Sequence, residues 1–139
     1  MLSRISREEL VRMMNMMFYS PLFYAVLAWV LAKYPLRWRV DINVLIVICL
    51  GGSIALILVS RPLRWLLLPP GREATGARIV LTCLVLATLG EAMAASGALV
   101  VWTGARLQAY VPFFVVSCLY CFDFRVFRLP AIIALWPGE

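Results

Sequence analysis

One carboxylate, Glu91, lies near the middle of an apolar stretch of 24 residues that runs from Ile79 to Trp102. A helix of this length, at about 1.5 Å per residue, is long enough to cross a hydrocarbon core of about 30 Å. An ionisable group at that depth is costly, so it is expected to face protein or water and to be functional. Because proton or sodium translocation requires a protonatable carboxylate near the midplane, Glu91 is a candidate ion-binding residue.

Two serines are candidate hydrogen-bond partners for this carboxylate. Ser53 lies at the centre of the preceding apolar stretch, and Ser96 follows Glu91 on the same stretch. A bond from either hydroxyl would let Glu91 join helices instead of binding an ion, because polar side chains also hold helices together inside membranes. Burial favours the protonated carboxyl unless a cation offsets it. The pattern is compatible with both roles, ion binding and interhelical contact.

Small residues at the same depth predict close packing between the second and third apolar stretches. Glycine and alanine recur there at helical spacing, which allows two helix backbones to approach each other closely. The residues concerned are Gly51 and Gly52 on the second stretch and Gly90, Ala94 and Gly97 on the third.

A run within the third stretch, from Leu86 to Val100, resembles the ion-binding helix of the rotary ATP synthase proteolipid, or c-subunit, family. In that family the carboxylate is followed by a small residue and, a turn and a half later, by a glycine. Glu91 and Gly97 are the matching positions, so the resemblance implies ion binding at Glu91. The rest of the chain differs from the family, because its second stretch lacks a long alternating glycine series and further spans lie at both ends.

The last apolar stretch places two thiols, Cys118 and Cys121, on one helix face. This spacing resembles the CxxC pair in the last helix of thiol oxidoreductases of the vitamin K epoxide reductase family. A redox role is the least favoured interpretation, because the predicted loops carry no cysteine to relay electrons and reactive thiols need an electropositive, accessible site. Histidine is absent, which excludes histidine-ligated haem, chlorophyll or metal and an imidazole base. We predict no enzymatic activity, no cofactor and no metal site.

The composition indicates that these residues belong to a membrane domain, since 64% of the chain is hydrophobic and only 14% is charged. We predict a single domain: an all-α integral membrane protein, a four-helix transmembrane bundle with a short N-terminal amphipathic surface helix. The Arg61-Pro62 pair is expected to end the second span, and the fourth span is predicted to be the shortest. The predicted bounds are a surface helix over residues 4–16, spans over 17–33, 42–60, 79–102 and 107–122, and an interfacial tail over 129–139.

The surface helix begins with a recognisable start signal. Ser6 followed by Glu9 matches a capping box, and Ile5 with Leu10 matches a hydrophobic staple. Its apolar side chains are expected to face lipid acyl chains, namely Leu10, Val11, Met13 and Met14. Arginines here and after the second span are predicted to contact lipid head groups, namely Arg4, Arg7, Arg12, Arg61 and Arg64. Asp123 is expected to pair with a nearby arginine.

The charge distribution predicts topology and partners. Of the 13 Lys and Arg residues, nine lie on the side of the two termini, so the positive-inside rule places both termini in the cytoplasm of a bacterial inner membrane. The net charge of +6 suits anionic lipids, whereas no basic face interleaved with aromatic residues suggests nucleic acid.

We therefore expect a small non-catalytic accessory or structural subunit of a larger inner-membrane complex, respiratory, photosynthetic or transport, that packs against other membrane-protein subunits. The alternative is a proton- or sodium-translocating protein that uses Glu91.

Overall fold

The fold is helical throughout the residues that the computed structural model describes, which are 5–36, 41–71 and 74–137, and no strand occurs among them. A 3₁₀ turn (Leu107–Tyr110) leads into the fifth helix, and a π-helical turn (Phe124–Arg128) connects it to the sixth. The helices are α1 (Arg7–Met17), α2 (Ser20–Leu31), α3 (Ile42–Leu67), α4 (Gly76–Trp102), α5 (Val111–Asp123) and α6 (Leu129–Ile133).

Four helical segments are long and apolar enough to cross a membrane, the number that the sequence predicts, but the first begins at Arg7 and so includes most of the predicted surface helix. They are Arg7–Leu31, Ile42–Leu67, Gly76–Trp102 and Leu107–Ile133. The helix α4 is the centre of the bundle, because it packs against α1, α2, α3, α5 and α6. It also buries more residues than any other described helix. Glu91 therefore lies on the element that all the others surround.

The start of α1 confirms the predicted capping box. The backbone N–H of Ser6 donates to Oε2 of Glu9 at 2.8 Å, and the backbone N–H of Glu9 donates to Oγ of Ser6 at 3.2 Å. The expected orientation of the apolar face is wrong for two residues, since Leu10 is 0% exposed and Met14 is 4% exposed. Both pack against α4 and α6 instead of acyl chains, because these helices bury the same apolar stripe.

An end cluster of buried apolar residues joins α1, the beginning of α4 and α6. It includes Leu10, Ile79, Leu129 and Ile132, together with Leu68 just after α3. The two terminal segments of the described chain therefore share one end of the bundle. Four long helical segments of alternating direction produce this arrangement.

The helix α3 continues past Arg61-Pro62 to Leu67, so the predicted break there is wrong. Proline removes one backbone donor and crowds the carbonyl four residues earlier, but long apolar helices tolerate this in membrane proteins. The residues expected to form an interfacial turn are the last turns of the helix. The chain leaves the helix at Leu68, before Pro69-Pro70 and Gly71, whose φ of 83° is left-handed.

The last segment is also longer than predicted, because it extends to Ile133 rather than ending at Phe122. The predicted interfacial tail is wrong where α6 forms, since Leu129 and Ile133 are buried in the end cluster. The π-helical turn accommodates Pro130, which lacks an N–H and would crowd the Val126 carbonyl in an α-helix. Here the N–H of Leu129 donates to the carbonyl of Phe124, five residues earlier.

Candidate functional site

Glu91 lies half-buried on the flank of α4 that borders α1 and α2. Two buried alanines define this flank, because they lie four residues before and seven residues after Glu91, which is helical spacing for one face. Ala87 belongs to the end cluster with residues of α1, and Ala98 packs with Ala28 of α2. No salt bridge to another described residue neutralises the carboxylate.

The predicted partners of Glu91 are not assembled around it. The hydroxyl of Ser53 donates to the carbonyl of Cys49 at 2.9 Å, and that of Ser96 donates to the carbonyl of Ala92 at 2.7 Å. Ser96 follows Glu91 by five residues, which is about 140° around a helix at about 100° per residue. Both hydroxyls are thus satisfied by their own helices, and Ser96 lies on a different face from Glu91.

The glycines Gly90 and Gly97 of α4 contact aromatic side chains of α5 and of the 3₁₀ turn before it. A Cβ atom on Gly97 would lie 2.5 Å from Cβ of Phe113 and 2.8 Å from the ring of Tyr110. A Cβ atom on Gly90 would lie 3.0 Å from the ring of Tyr120. Glycine is therefore required at Gly97 and favoured at Gly90 by the approach of aromatic side chains.

The glycines of α3 have no such role. Gly51 and Gly52 are exposed, and no described atom lies within 4 Å of a Cβ placed on either. Ala94 is fully buried on α4. The helices α3 and α4 do pack together, as predicted. The glycines Gly90 and Gly97, however, face α5 and the turn before it, where the aromatic residues that cover them lie.

Two hydrogen bonds fix α5 against α4 at the depth of Glu91. Ser117 Oγ donates to the carbonyl of Gly90 at 2.9 Å, and Tyr120 Oη donates to the carbonyl of Leu86 at 2.7 Å. Both side chains are buried. Sequence reasoning missed them, although a serine and a tyrosine three residues apart on an apolar helix are a recognisable signal for one polar face.

A second polar cluster surrounds Arg128, whose side chain is 11% exposed. Its Nε lies 2.6 Å from Oδ2 of Asp123, and its Nη1 donates to Oγ of Ser60 on α3 at 2.7 Å. The guanidinium carbon lies 5.5 Å from the centroid of the Tyr120 ring. The predicted pairing of Asp123 with an arginine is confirmed, while the bond to Ser60 was not foreseen.

The predicted lipid-contacting arginines that the structure describes lie along α1 and in the last two turns of α3. Arg7, Arg12 and Arg61 are exposed, and Arg64 is half-buried beside Trp65. Arg4 lies outside the described residues. Because α1 and the end of α3 meet the end cluster, these four arginines lie at the same end of the bundle.

The cysteines and acidic residues do not gather into a redox or metal centre among the described residues. Cys118 and Cys121 are free thiols, and Cys121 is buried against α4. No group of three or more Cys, Asp or Glu side chains could hold a metal ion in residues 5–36, 41–71 and 74–137.

Comparison with known proteins gives no relative: no protein-family model, no curated protein and no solved structure matches this chain.

Proposed function

We propose that this protein is a non-enzymatic structural subunit of an inner-membrane complex, and that the outer face of α3 packs against a transmembrane helix of another subunit. The observation that carries this proposal is the uncovered glycine pair Gly51-Gly52 at the middle of α3. Close packing of membrane helices uses small residues of this kind.

The cost of glycine in a helix supports an external contact. Each glycine inside a helix is less stable than alanine by about 1 kcal/mol. At Gly97 the close approach of Phe113 explains this cost, but at Gly51 and Gly52 nothing within the described chain does. A second helix backbone approaching this point would explain it.

The surroundings of the glycine pair have the shape that such a contact needs. Exposed branched side chains precede it at Val47 and Ile48 and follow it at Ile54 and Leu58. The glycines therefore form a shallow notch between two apolar ridges, and ridges of a partner helix can enter such a groove. The face carries no charged residue, which suits an occupant within the hydrocarbon core.

The charged residues support an orientation for this subunit. The arginines Arg7, Arg12, Arg61 and Arg64 lie at one end of the bundle, where they would contact anionic head groups of the cytoplasmic leaflet. We assign this end to the cytoplasmic side of a bacterial inner membrane. The proposed role requires neither a cofactor nor nucleic acid.

The test is gentle-detergent purification of the tagged native protein, with mass spectrometry of the proteins that accompany it. We expect fixed proportions of other membrane subunits, and we expect Gly51→Leu/Gly52→Leu to lose them by filling the notch. A matched control is Val26→Leu, which enlarges an exposed apolar residue on α2.

Three results would contradict this role. If the wild-type protein purifies alone or as a homo-oligomer, the proposal of a partner subunit is wrong. If the Gly51→Leu/Gly52→Leu protein recovers its partners as well as wild type does, the α3 face is not the contact surface. Loss of partners with Val26→Leu alone would move the contact to α2.

A further inference from the structure

The hydroxyl of Ser20 has an unusual environment at the start of α2. Its Oγ atom is buried and has no hydrogen-bond partner among the described residues. Buried hydroxyl groups are nearly always hydrogen-bonded, because an unpaired one forfeits its bonds to water. A hydrogen bond to a ligand, or to a side chain that gains and loses a proton, would explain why this hydroxyl is buried without a partner.

The depth of Ser20 follows from the packing of α1 and α2 along α4. Met14 lines a small cavity together with Ala87, and Ala28 packs in one cluster with Ala98. The residue number increases from Met14 to Ala28 and, alongside, from Ala87 to Ala98. The helices α1 and α2 therefore run parallel to α4. Ser20 is six residues after Met14 and eight before Ala28, which places it opposite the interval 90–93 of α4. Ser20 and Glu91 therefore lie at one depth on neighbouring helices.

The helix is interrupted at the same depth. Between α1 and α2 the N–H of Tyr19 donates to the carbonyl of Met16 at 3.1 Å, three residues back, instead of continuing the α pattern. Pro21 lacks an N–H and so leaves the carbonyl of Met17 without its α-helical donor. Interrupted membrane helices present polar backbone groups and a helix N-terminus to charged ligands. The positive end of the α2 dipole would favour a carboxylate here.

We propose that Glu91 and Ser20 form a proton-binding site between α4 and α2. The Glu91 carboxylate takes one proton from the aqueous phase and returns it there. The Ser20 hydroxyl donates to the ionised carboxylate and accepts from the protonated acid, because a hydroxyl is both donor and acceptor. This site adds a chemical role to the packing role and does not depend on the α3 face.

Other polar groups near this depth belong to the helices that surround α4. The carboxylate of Asp123 is among them, but it is paired with Arg128, whereas Glu91 has no salt bridge to a described residue. The guanidinium of Arg125 is directed to Phe18, with 4.8 Å between its carbon and the ring centroid. The Tyr110 hydroxyl donates to the carbonyl of Pro21, the residue after Ser20, at 3.0 Å. The other groups are Cys118, Cys121, Tyr120 and Asp123 on α5, Tyr24 and Tyr19 at α2, Cys49 on α3, and Arg125 and Arg128 in the π-helical turn.

The test measures carbodiimide labelling of Glu91 against pH in vesicles that contain the full-length protein. Dicyclohexylcarbodiimide adds the O–H of a protonated carboxyl across a C=N bond, and the adduct rearranges to a stable N-acylurea that mass spectrometry detects. We expect Ser20→Ala to raise the pH of half-maximal labelling by about one unit, because the ionised carboxylate loses a donor. We expect Ser20→Thr, which keeps the hydroxyl, to behave as wild type.

The matched control is Ser96→Ala, which removes a hydroxyl that bonds only to its own helix and should leave the midpoint unchanged. Glu91→Gln should abolish the label. The proposal fails if the wild-type protein is not labelled at any pH, or if Ser20→Ala and Ser96→Ala titrate alike. Protection by sodium but not by choline at constant pH would overturn the proton as ligand in favour of an alkali-metal cation. None of these readouts depends on partner subunits, so the packing role can fail or hold separately.

Discussion

Two glycine pairs lie within long apolar helices, and their surroundings differ: one pair is covered by side chains of the neighbouring helix and the other is not. Gly90 and Gly97 are seven residues apart, share one face of α4 and are covered by aromatic rings of α5 and the preceding turn. Gly51 and Gly52 are adjacent on α3 and are covered by nothing described. Glycine content alone therefore does not locate a helix interface. The side chains of the partner helix decide which glycines are in contact.

The strongest test of this comparison is Gly97→Ala. The added methyl group would lie 2.5 Å from Cβ of Phe113, so the backbones of α4 and α5 must separate. Overpacking of this kind costs about 3 kcal/mol. Thermal unfolding in mild detergent should show a large fall in the midpoint. An unchanged midpoint would mean that α5 can move away from α4 without loss of packing.

The next largest effect is expected for Arg128→Ala, which tests how α3 is held in place. This change removes the bond to Ser60 on α3 and the ion pair with Asp123. Hydrogen bonds from a charged group of this kind are worth about 2 kcal/mol together, and the loss should weaken the α3 side of the bundle. Cysteine-accessibility labelling at Cys49 should increase with it. Arg128→Lys serves as control and should recover part of the stability, since it keeps one positive donor.

The substitution Gly52→Ala tests the uncovered glycine pair on α3, where the opposite effect to Gly97→Ala is expected. Nothing lies within 4 Å of the new methyl group, so the purified protein should gain up to about 1 kcal/mol from helix propensity. The thermal midpoint should rise slightly, in contrast to its fall in Gly97→Ala. A loss of stability at Gly52 would show that this surface is already in contact, for instance with a second copy of the chain.

The smallest effect is expected for Ser117→Ala. The hydroxyl donates to the Gly90 carbonyl at 2.9 Å, and interhelical hydrogen bonds in membrane proteins contribute about 0.6 kcal/mol on average. The thermal midpoint should fall by little. Thr88→Ala is a control, since Thr88 Oγ1 donates only to the carbonyl of Leu84 on its own helix. If the thermal midpoint of Ser117→Ala fell as far as that of Gly97→Ala, the interface between α4 and α5 would depend on this hydrogen bond as much as on close packing.

The sequence predicts the elements of this fold better than their ends. The capping box at Ser6 and Glu9 and the long helix around Glu91 follow from local patterns, which depend on neighbours within a few residues. The ends of α3 and of the last segment do not, because Arg61-Pro62 was expected to end α3 and the last span was predicted to stop at residue 122, before the charged residues Asp123 and Arg125. An apolar segment continues past a proline where burial and backbone bonding outweigh one lost hydrogen bond.

The candidate site shows a second limit of sequence reasoning. The depth of Glu91 follows from its position in an apolar stretch, but its neighbours depend on which helix lies on which side of α4. Ser53 was assigned to Glu91 by depth alone, but its hydroxyl bonds within α3. The serine of the proposed site, Ser20, belongs instead to α2, which packs against α4. A single sequence predicts how deep a residue lies along its helix, but it does not predict which helices lie on which side of that residue.

The π-helical turn at Phe124–Arg128 has a consequence for how the chain tolerates changes in length. In an uninterrupted α-helix Leu129 would lie about 160° around the axis from Phe113, at about 100° per residue, and would face away from the core. Deletion of one residue from the turn would close it to an ordinary α-helix and place Leu129 at about 60°, near the buried side. A one-residue deletion in α4 instead rotates every later residue by about 100° and exposes the glycines that α5 covers. The turn therefore behaves as an accommodated insertion. Because closing it would bring Pro130 against the carbonyl four residues earlier, a one-residue deletion there is expected to leave the fold intact when Pro130 is replaced as well.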